Sequence, residues 1–124
     1  MDQHRLRTGR DSETVASHYL QEHGLEIIER NVRSPWGEVD LVARDGPSYV
    51  FVEIRSHRSA RWGAAQESIT RSKRKRVVRV ALWYLKRHGL LGVPVRFDVV
   101  AVQWRADKAE IRWFPGAFDT EGET

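Results

Sequence analysis

The chain has 124 residues, of which 40% are hydrophobic and 31% charged, so one globular domain with a buried core is expected. Cysteine is absent, which excludes disulfides and zinc–thiolate sites. No stretch approaches the ~20 consecutive apolar residues of a membrane span, and the first residues lack the apolar core of a secretory signal. A cytoplasmic protein without a membrane partner is the expectation, and the formal net charge of +4 is compatible with a polyanionic partner.

The order of apolar patterns along the chain predicts an α/β domain. Residues 1–10 are predicted to be a mobile basic arm, and Asp11 or Ser12 to cap a helix that ends before Gly24. Three strands, one long helix and two further strands are predicted at residues 25–32, 37–44, 49–55, 73–89, 95–104 and 109–115. Residues 119–124 are an acidic tail, so the domain spans residues 11–118. The order α-β-β-β-α-β-β predicts a mixed central sheet flanked by helices.

The second and third strands each carry an acidic residue where a plain strand would carry a hydrophobe. Side chains alternate across a strand, so a hairpin that turns at residues 45–48 makes Asp40 face Glu53 and Glu38 face Arg55 on one face of the sheet. Facing like charges destabilise a sheet. A divalent metal could compensate the Asp40–Glu53 pair, and so could Arg55 in a structural ion network; these residues alone leave both explanations open.

A third carboxylate lies in the first predicted helix. On a helical wheel Glu13 falls on the same side as Ala16 and Leu20, rather than on the solvent side. It either complements the positive end of the helix dipole or points at the sheet, toward Asp40 and Glu53. Three carboxylates and one cation converging on a sheet face are typical of a metal-dependent phosphodiesterase.

Several stretches together resemble a known protein family. They are "GRDSETVASHYL", "IIERNVRSPWGEVDLVARDG", "YVFVEIRSHRS", "ITRSKRKR" and "RFDVVAV", within about Gly9 to Phe118. They resemble the small bacterial family typified by YraN. That family is similar to the restriction-endonuclease-like superfamily, whose signature is PD-(D/E)XK, and especially to archaeal Holliday-junction resolvases. The resemblance implies a restriction-endonuclease-like fold and action on DNA, either branched or single-stranded.

The resemblance also implies roles for individual residues. Glu13 matches the helix glutamate of the superfamily, Asp40 the motif aspartate and Glu53 the motif glutamate. Asp40, Glu53 and the carbonyl of Ile54 would then hold Mg²⁺ or Mn²⁺. Arg55 stands where the motif carries lysine, and its planar guanidinium is not a safe substitute for a compact ammonium. The sequence therefore predicts weak or absent cleavage.

Basic residues cluster where the long helix begins. They are Arg71, Lys73, Arg74, Lys75 and Arg76, with Arg58 and Arg61 in the loop before them. Such a cluster suits contacts with a phosphate backbone, although a charged helix face is also an ordinary solvated surface. Trp36 and Trp62 lie in loops beside the predicted site, where they either stack on an unpaired base or cover the edge of the core.

Two further residues have interpretations of their own. Trp83 falls on the basic side of the long helix, where exposure would suggest a partner surface. Asp98 is expected to pair with Arg96 or to cap local backbone rather than to act in catalysis.

The first functional hypothesis is a metal-dependent endonuclease that acts on nucleic acid, with DNA as the expected partner. The alternative is a non-catalytic nucleic-acid-binding module on the same fold. A protein-interaction scaffold is the third and least favoured. The sequence leaves a homodimer open.

Overall fold

The computed structural model describes residues 2–57 and 69–120, with side chains from Asp11 onward. Within these residues the elements are helix α1 (Asp2–Glu22), strands β1 (Glu26–Ser34), β2 (Gly37–Asp45) and β3 (Ser48–His57), helix α2 (Arg71–Arg87), and strands β4 (Val95–Arg105) and β5 (Lys108–Phe118). This order confirms the predicted α/β class, a mixed sheet flanked by helices. No helix in this part of the chain is long and apolar enough to cross a membrane.

The start of the first helix was predicted wrongly. Helix α1 begins at Asp2, so the backbone of residues 2–10 is helical. Ser12 is not a cap but a buried residue within the helix. Its hydroxyl hydrogen-bonds the Ser56 hydroxyl at 2.7 Å and accepts from Nε1 of Trp104 at 2.8 Å. The serine that looked like a local cap is thus used in tertiary contacts with β3 and β4.

The five strands form one sheet in the order β1-β2-β3-β4-β5. Neighbours are antiparallel except β3 and β4, which run parallel because α2 provides the crossover between them. The β2–β3 register pairs Val42 with Phe51 and Arg44 with Tyr49. This is the register predicted from the length of the turn.

Each face of the sheet is covered by one helix. On the α1 face the core contains Ala16, Leu20, Leu41, Val52, Val100 and Val102. On the α2 face it contains Phe51, Val77, Val80, Ala81, Tyr84 and Phe97. Leu82, in the middle of α2, is 54% exposed.

Strand β2 changes faces at Asp40. Leu41 packs in the α1 core, whereas Val39 packs in the α2 core. Residues two apart on a regular strand share a face, so the strand must twist between these two positions. Beyond the twist, the tip of the β1–β2 hairpin lies against α2: a Cβ on Gly37 would stand 3.0 Å from Cδ of Arg76, and Gly37 has a φ of +138°.

Gly37→Ala should therefore destabilise the domain by about 1–3 kcal/mol, because alanine is strained at this positive φ and its methyl group would displace Arg76. The change would appear as a lower urea midpoint with an unchanged slope. Gly24→Ala is the control, since Gly24 also has a positive φ beyond the left-handed helical region, of +95°, but a Cβ there would have nothing within 4 Å. If the two variants lose equal stability, the close packing of the hairpin tip on α2 contributes nothing.

Candidate functional site

Asp40 and Glu53 lie side by side where strands β2 and β3 separate. The ladder between these strands ends with the Leu41–Val52 pair, one step before the two acidic residues. Both carboxylates line a cavity of about 220 Å³. Its other lining residues are Gly37, Glu38, Lys73, Arg76 and Val77. The predicted proximity of Asp40 and Glu53 is confirmed, and the separation of the strands leaves room for the cavity.

The side chain of Asp40 is held by the backbone of the neighbouring strand. The Ile54 N–H donates to Oδ2 of Asp40 at 2.7 Å. The carboxylate thereby satisfies a backbone donor on β3 beyond the last β2–β3 pair. This hydrogen bond involves Oδ2 of Asp40 and not Oδ1.

Glu53 is a nearly buried acid, with 2% of its surface exposed. Burial raises its pKa well above the ordinary value, and the neighbouring side chain and charge of Asp40 raise it further. Lys73 and the Asp40 backbone oppose these effects, but burial dominates. Glu53 therefore holds its proton more tightly than an ordinary glutamate does, because its pKa is raised.

Lys73, near the start of α2, pairs with Glu53. Its Nζ lies 3.7 Å from Oε1 of Glu53. The sequence interpretation had given this role in a structural network to Arg55, because Lys73 is remote in sequence from the two strands. Lys73 reaches Glu53 because α2 begins over this face of the sheet. Thr70 caps the N-terminus of α2, and its hydroxyl accepts a hydrogen bond from the Lys73 N–H at 3.1 Å.

Arg55 shares a sheet face with Glu53, two residues along β3, where it pairs with Ala101 of β4 and is half-buried. The β2–β3 ladder ends at the Leu41–Val52 pair and does not extend to the predicted Arg55–Glu38 pairing. On its other side, Glu38 pairs with Arg33 of β1, and the Arg33 Nε–Glu38 Oε2 distance is 3.5 Å.

Glu13 approaches the site through an intermediary. Its Oε2 accepts a hydrogen bond from Nδ2 of Asn31 at 3.2 Å. The flanking β1–β2 pairs place Asn31 opposite Asp40. The described residues contain no group of three or more His, Cys, Asp or Glu that could hold a metal ion. The predicted cluster of three carboxylates is therefore an Asp40–Glu53 pair, and Asn31 lies between Glu13 and this pair.

Sequence reasoning missed Asn31. Its φ of 53° is a conformation that asparagine tolerates better than most residues. An asparagine inside the strand pattern "IIERNV" was the available signal.

The predicted nucleic-acid-binding residues fall into two groups. Arg58 and Arg61 lie outside the described residues. The others stand at the start of α2: Arg71, Lys75 and Arg76 are exposed, and Lys73 and Arg74 are half-buried. A second cavity, of about 250 Å³, adjoins the first and is lined by Trp36, Ser72, Lys75, Arg76 and Arg79.

Two tryptophans that were interpreted from the sequence differ in exposure. Trp36 is 54% exposed, so it does not cover the edge of the core. Trp83 is half-buried against the α2 core, with the Arg87 guanidinium 5.0 Å from its ring.

The structural interpretation of Asp98 is confirmed. This buried carboxylate accepts hydrogen bonds from Nε and Nη2 of Arg96 and from the backbone N–H of Gly116. Nε1 of Trp113 donates to it as well, at 2.9 Å.

Sequence comparison assigns the chain to a family. The sequence model of the "Uncharacterised protein family UPF0102" matches residues 12–102. The chain belongs to this family. A UPF0102 protein of Syntrophotalea carbinolica is 43% identical over 122 residues, covering 98% of this chain and 99% of that protein. A UPF0102 protein of Desulfosudis oleivorans is 41% identical over 115 residues, covering 93% and 92%. The family resemblance expected from the motifs is confirmed.

Among solved structures, "The structure of Pyrococcus Furiosus SfsA in complex with Ca2+" aligns with a TM-score of 0.39 and 14% identity. The alignment covers 90% of this chain and 63% of that one.

The raised pKa of Glu53 predicts a specific dependence of stability on pH. Below the unfolded-state pKa the carboxyl is protonated in both states; as the pH rises toward the folded-state pKa, burying it becomes costly. The wild type should lose up to about 1.4 kcal/mol per pH unit in this range. Glu53→Gln should flatten that loss, so the stability difference between variant and wild type should grow in the variant's favour from pH 5 to pH 8.

Urea unfolding across that pH range measures the effect. Glu38→Gln is the matched control, because Glu38 lines the same cavity but is exposed. Parallel pH profiles for wild type and Glu53→Gln would contradict the raised pKa.

Proposed function

We propose that this protein is a metal-dependent, nuclease-like protein that binds DNA, with Asp40 and Glu53 holding Mg²⁺ or Mn²⁺. One observation carries the proposal: two carboxylates meet where the β2–β3 ladder ends, in a cavity that is also lined by Lys73 and Arg76 near the start of α2. Carboxylates for a metal and cations for phosphate are thus brought to one place.

The donor set suits a hard divalent cation. Mg²⁺ is usually held by one or two carboxylates, with phosphate oxygens and water as its other ligands. Asp40 and Glu53 would supply the carboxylates, and the Ile54 carbonyl oxygen is the additional backbone candidate. A bound divalent ion would polarise a phosphate and lower the pKa of a water molecule.

The protein's own residues would orient the reacting groups. The Ile54 N–H fixes Asp40, and burial restricts Glu53. Arg55, on the face of the sheet that carries Glu53, is the proposed phosphate contact. Glu13 acts as a positioning residue, because its bond to Asn31 braces the strand opposite Asp40.

The charges at the start of α2 support a polyanionic partner. Its first turn contains no acidic residue, while Arg71, Lys73 and Arg74 all lie there. Cations at a helix N-terminus oppose the helix dipole, typically by about 0.3–1 kcal/mol each. A phosphate backbone would turn this local repulsion into attraction, since it binds both the cations and the positive end of the helix.

A second candidate function is non-catalytic binding of nucleic acid. The Lys73–Glu53 ion pair favours it, because Lys73 already supplies positive charge where a metal would. Arg55 in the motif lysine position favours it as well.

Cleavage assays separate the two candidates. Branched, single-stranded and duplex DNA would be incubated with Mg²⁺ or Mn²⁺. We expect weak cleavage by the wild type, because loss of one preorganised charge contact typically costs ~10²–10³ in rate. Arg55→Lys should raise the rate, and Asp40→Asn in that background should abolish it. Brisk wild-type cleavage that Arg55→Lys slows would show that Arg55 is a competent catalytic cation.

Metal binding has its own measurement, independent of cleavage. Calorimetric titration with Mn²⁺ should give a binding signal for the wild type that Asp40→Asn removes. Glu38→Gln should retain it, because Glu38 is exposed and paired with Arg33. Equal Mn²⁺ affinity in wild type and Asp40→Asn would contradict the proposed metal site and leave the binding module as the better candidate.

Phosphate binding by the start of α2 predicts a salt dependence. DNA affinity should fall with salt with a log–log slope near −0.9 per phosphate contact on duplex. Replacing Lys73 and Lys75 by Ala should weaken binding to all sequences and reduce the slope by up to about two units. Replacing Lys86 and Arg87, at the other end of the same helix, removes equal charge and should leave the slope nearly unchanged. Equal effects from both double variants would exclude a local phosphate site.

A further inference from the structure

The second cavity lies directly beside the carboxylate cavity. Arg76 lines both, and Gly37 of the first cavity follows Trp36 of the second in the chain. A ligand strand bound at Asp40 and Glu53 would therefore continue toward Trp36. Among the described residues that line the second cavity, Trp36 is aromatic, Lys75, Arg76 and Arg79 are cations, and none is acidic.

Trp36 is presented by an ordered turn. The Trp36 N–H donates to Oγ of Ser34 at 3.1 Å, and that hydroxyl donates to the Gly37 carbonyl at 3.0 Å. The turn that joins β1 and β2 is thus braced by Ser34. Despite this fixed backbone, 54% of Trp36 is exposed. An exposed indole on a rigid turn binds a planar ligand with little loss of backbone freedom.

The side chains around Trp36 define the chemistry of that ligand. The Arg79 guanidinium lies 5.9 Å from the ring centroid, within the range of a cation–π contact. Lys75 and Arg76 add exposed positive charge beside it. An aromatic plane with three cations matches one nucleotide: the base stacks on the ring, and the phosphates contact the cations.

We propose that Trp36 is a stacking platform for an unpaired nucleotide next to the carboxylate pair, so that the ligand is single-stranded or locally unpaired DNA. A paired base in a duplex is already stacked on both faces and has none to offer the indole. The inference deepens the proposed function and rests on it for the direction of the strand. It concerns binding, and so can be tested without metal or cleavage.

The test compares three fluorescent ligands in the presence of a chelator: an oligothymidine, a strand of the same length made of abasic residues, and a duplex. Trp36→Ala should weaken oligothymidine binding about tenfold, the effect typical of losing one base–aromatic stack. It should change binding of the abasic strand much less, because that strand keeps its phosphates but has no base. Trp36→Phe should retain most of the affinity, since phenylalanine keeps an aromatic face.

Two controls separate stacking from loss of surface or charge. Leu82→Ala removes a side chain that is also 54% exposed, from the middle of α2, and should leave oligothymidine binding unchanged. Arg79→Ala should weaken binding, whereas Arg87→Ala should not, although Arg87 also lies over a tryptophan ring, that of Trp83.

The proposal is overturned if Trp36→Ala leaves oligothymidine binding unchanged, or weakens the abasic strand and the duplex as much as oligothymidine. Failure of the proposed function looks different. If the protein neither binds Mn²⁺ nor cleaves DNA but Trp36→Ala still weakens oligothymidine binding, it is a single-strand-binding protein with a stacking site. Metal-dependent cleavage without a Trp36 effect would leave a nuclease-like protein that lacks this platform.

Discussion

The separation of β2 from β3 beyond the Leu41–Val52 pair is the constraint on which the site depends. Backbone donors at such a separation must find other partners, and the Asp40 carboxylate supplies one by accepting from the Ile54 N–H. That bond holds Asp40 beside Glu53. The change of face in β2 at Asp40 also brings the tip of the β1–β2 hairpin to α2, where Gly37 permits close contact with Arg76. Gly37, Asp40 and Glu53 all line the cavity at this end of the ladder.

Two buried carboxylates in this sheet illustrate different ways to bury an acid. Asp98 accepts hydrogen bonds from Arg96, Trp113 and the Gly116 backbone, so donors surround its charge. Arg96 also pairs with Asp45 at 2.7 Å, which ties β4 to the β2–β3 turn. Glu53 has another acid beside it and one lysine at 3.7 Å. The charge of Asp98 is thus compensated by its donors, whereas burial beside Asp40 raises the pKa of Glu53.

The electrostatics of α2 follow from where the crossover enters. Because α2 joins the parallel strands β3 and β4, its N-terminus lies over the face that carries Glu53. The cluster of cations there repels itself and opposes the helix dipole. In the proposed function, bound phosphates would offset that cost. The apolar side of the same helix meanwhile packs against Phe51 and stabilises the sheet beneath the site.

Local periodicity and turn length are encoded in neighbouring residues, and for that reason the sequence by itself determined the order of elements, the β2–β3 register and the proximity of Asp40 and Glu53. The interpretation of Asp98 also followed from its immediate neighbours. Partners remote in the chain were decided only by the tertiary structure. Lys73 reaches Glu53 because of how α2 crosses the sheet, and Asn31 stands between Glu13 and Asp40 because of the β1–β2 register. The burial of Ser12 and the exposure of Trp36 likewise depend on packing between elements, which no local pattern contains.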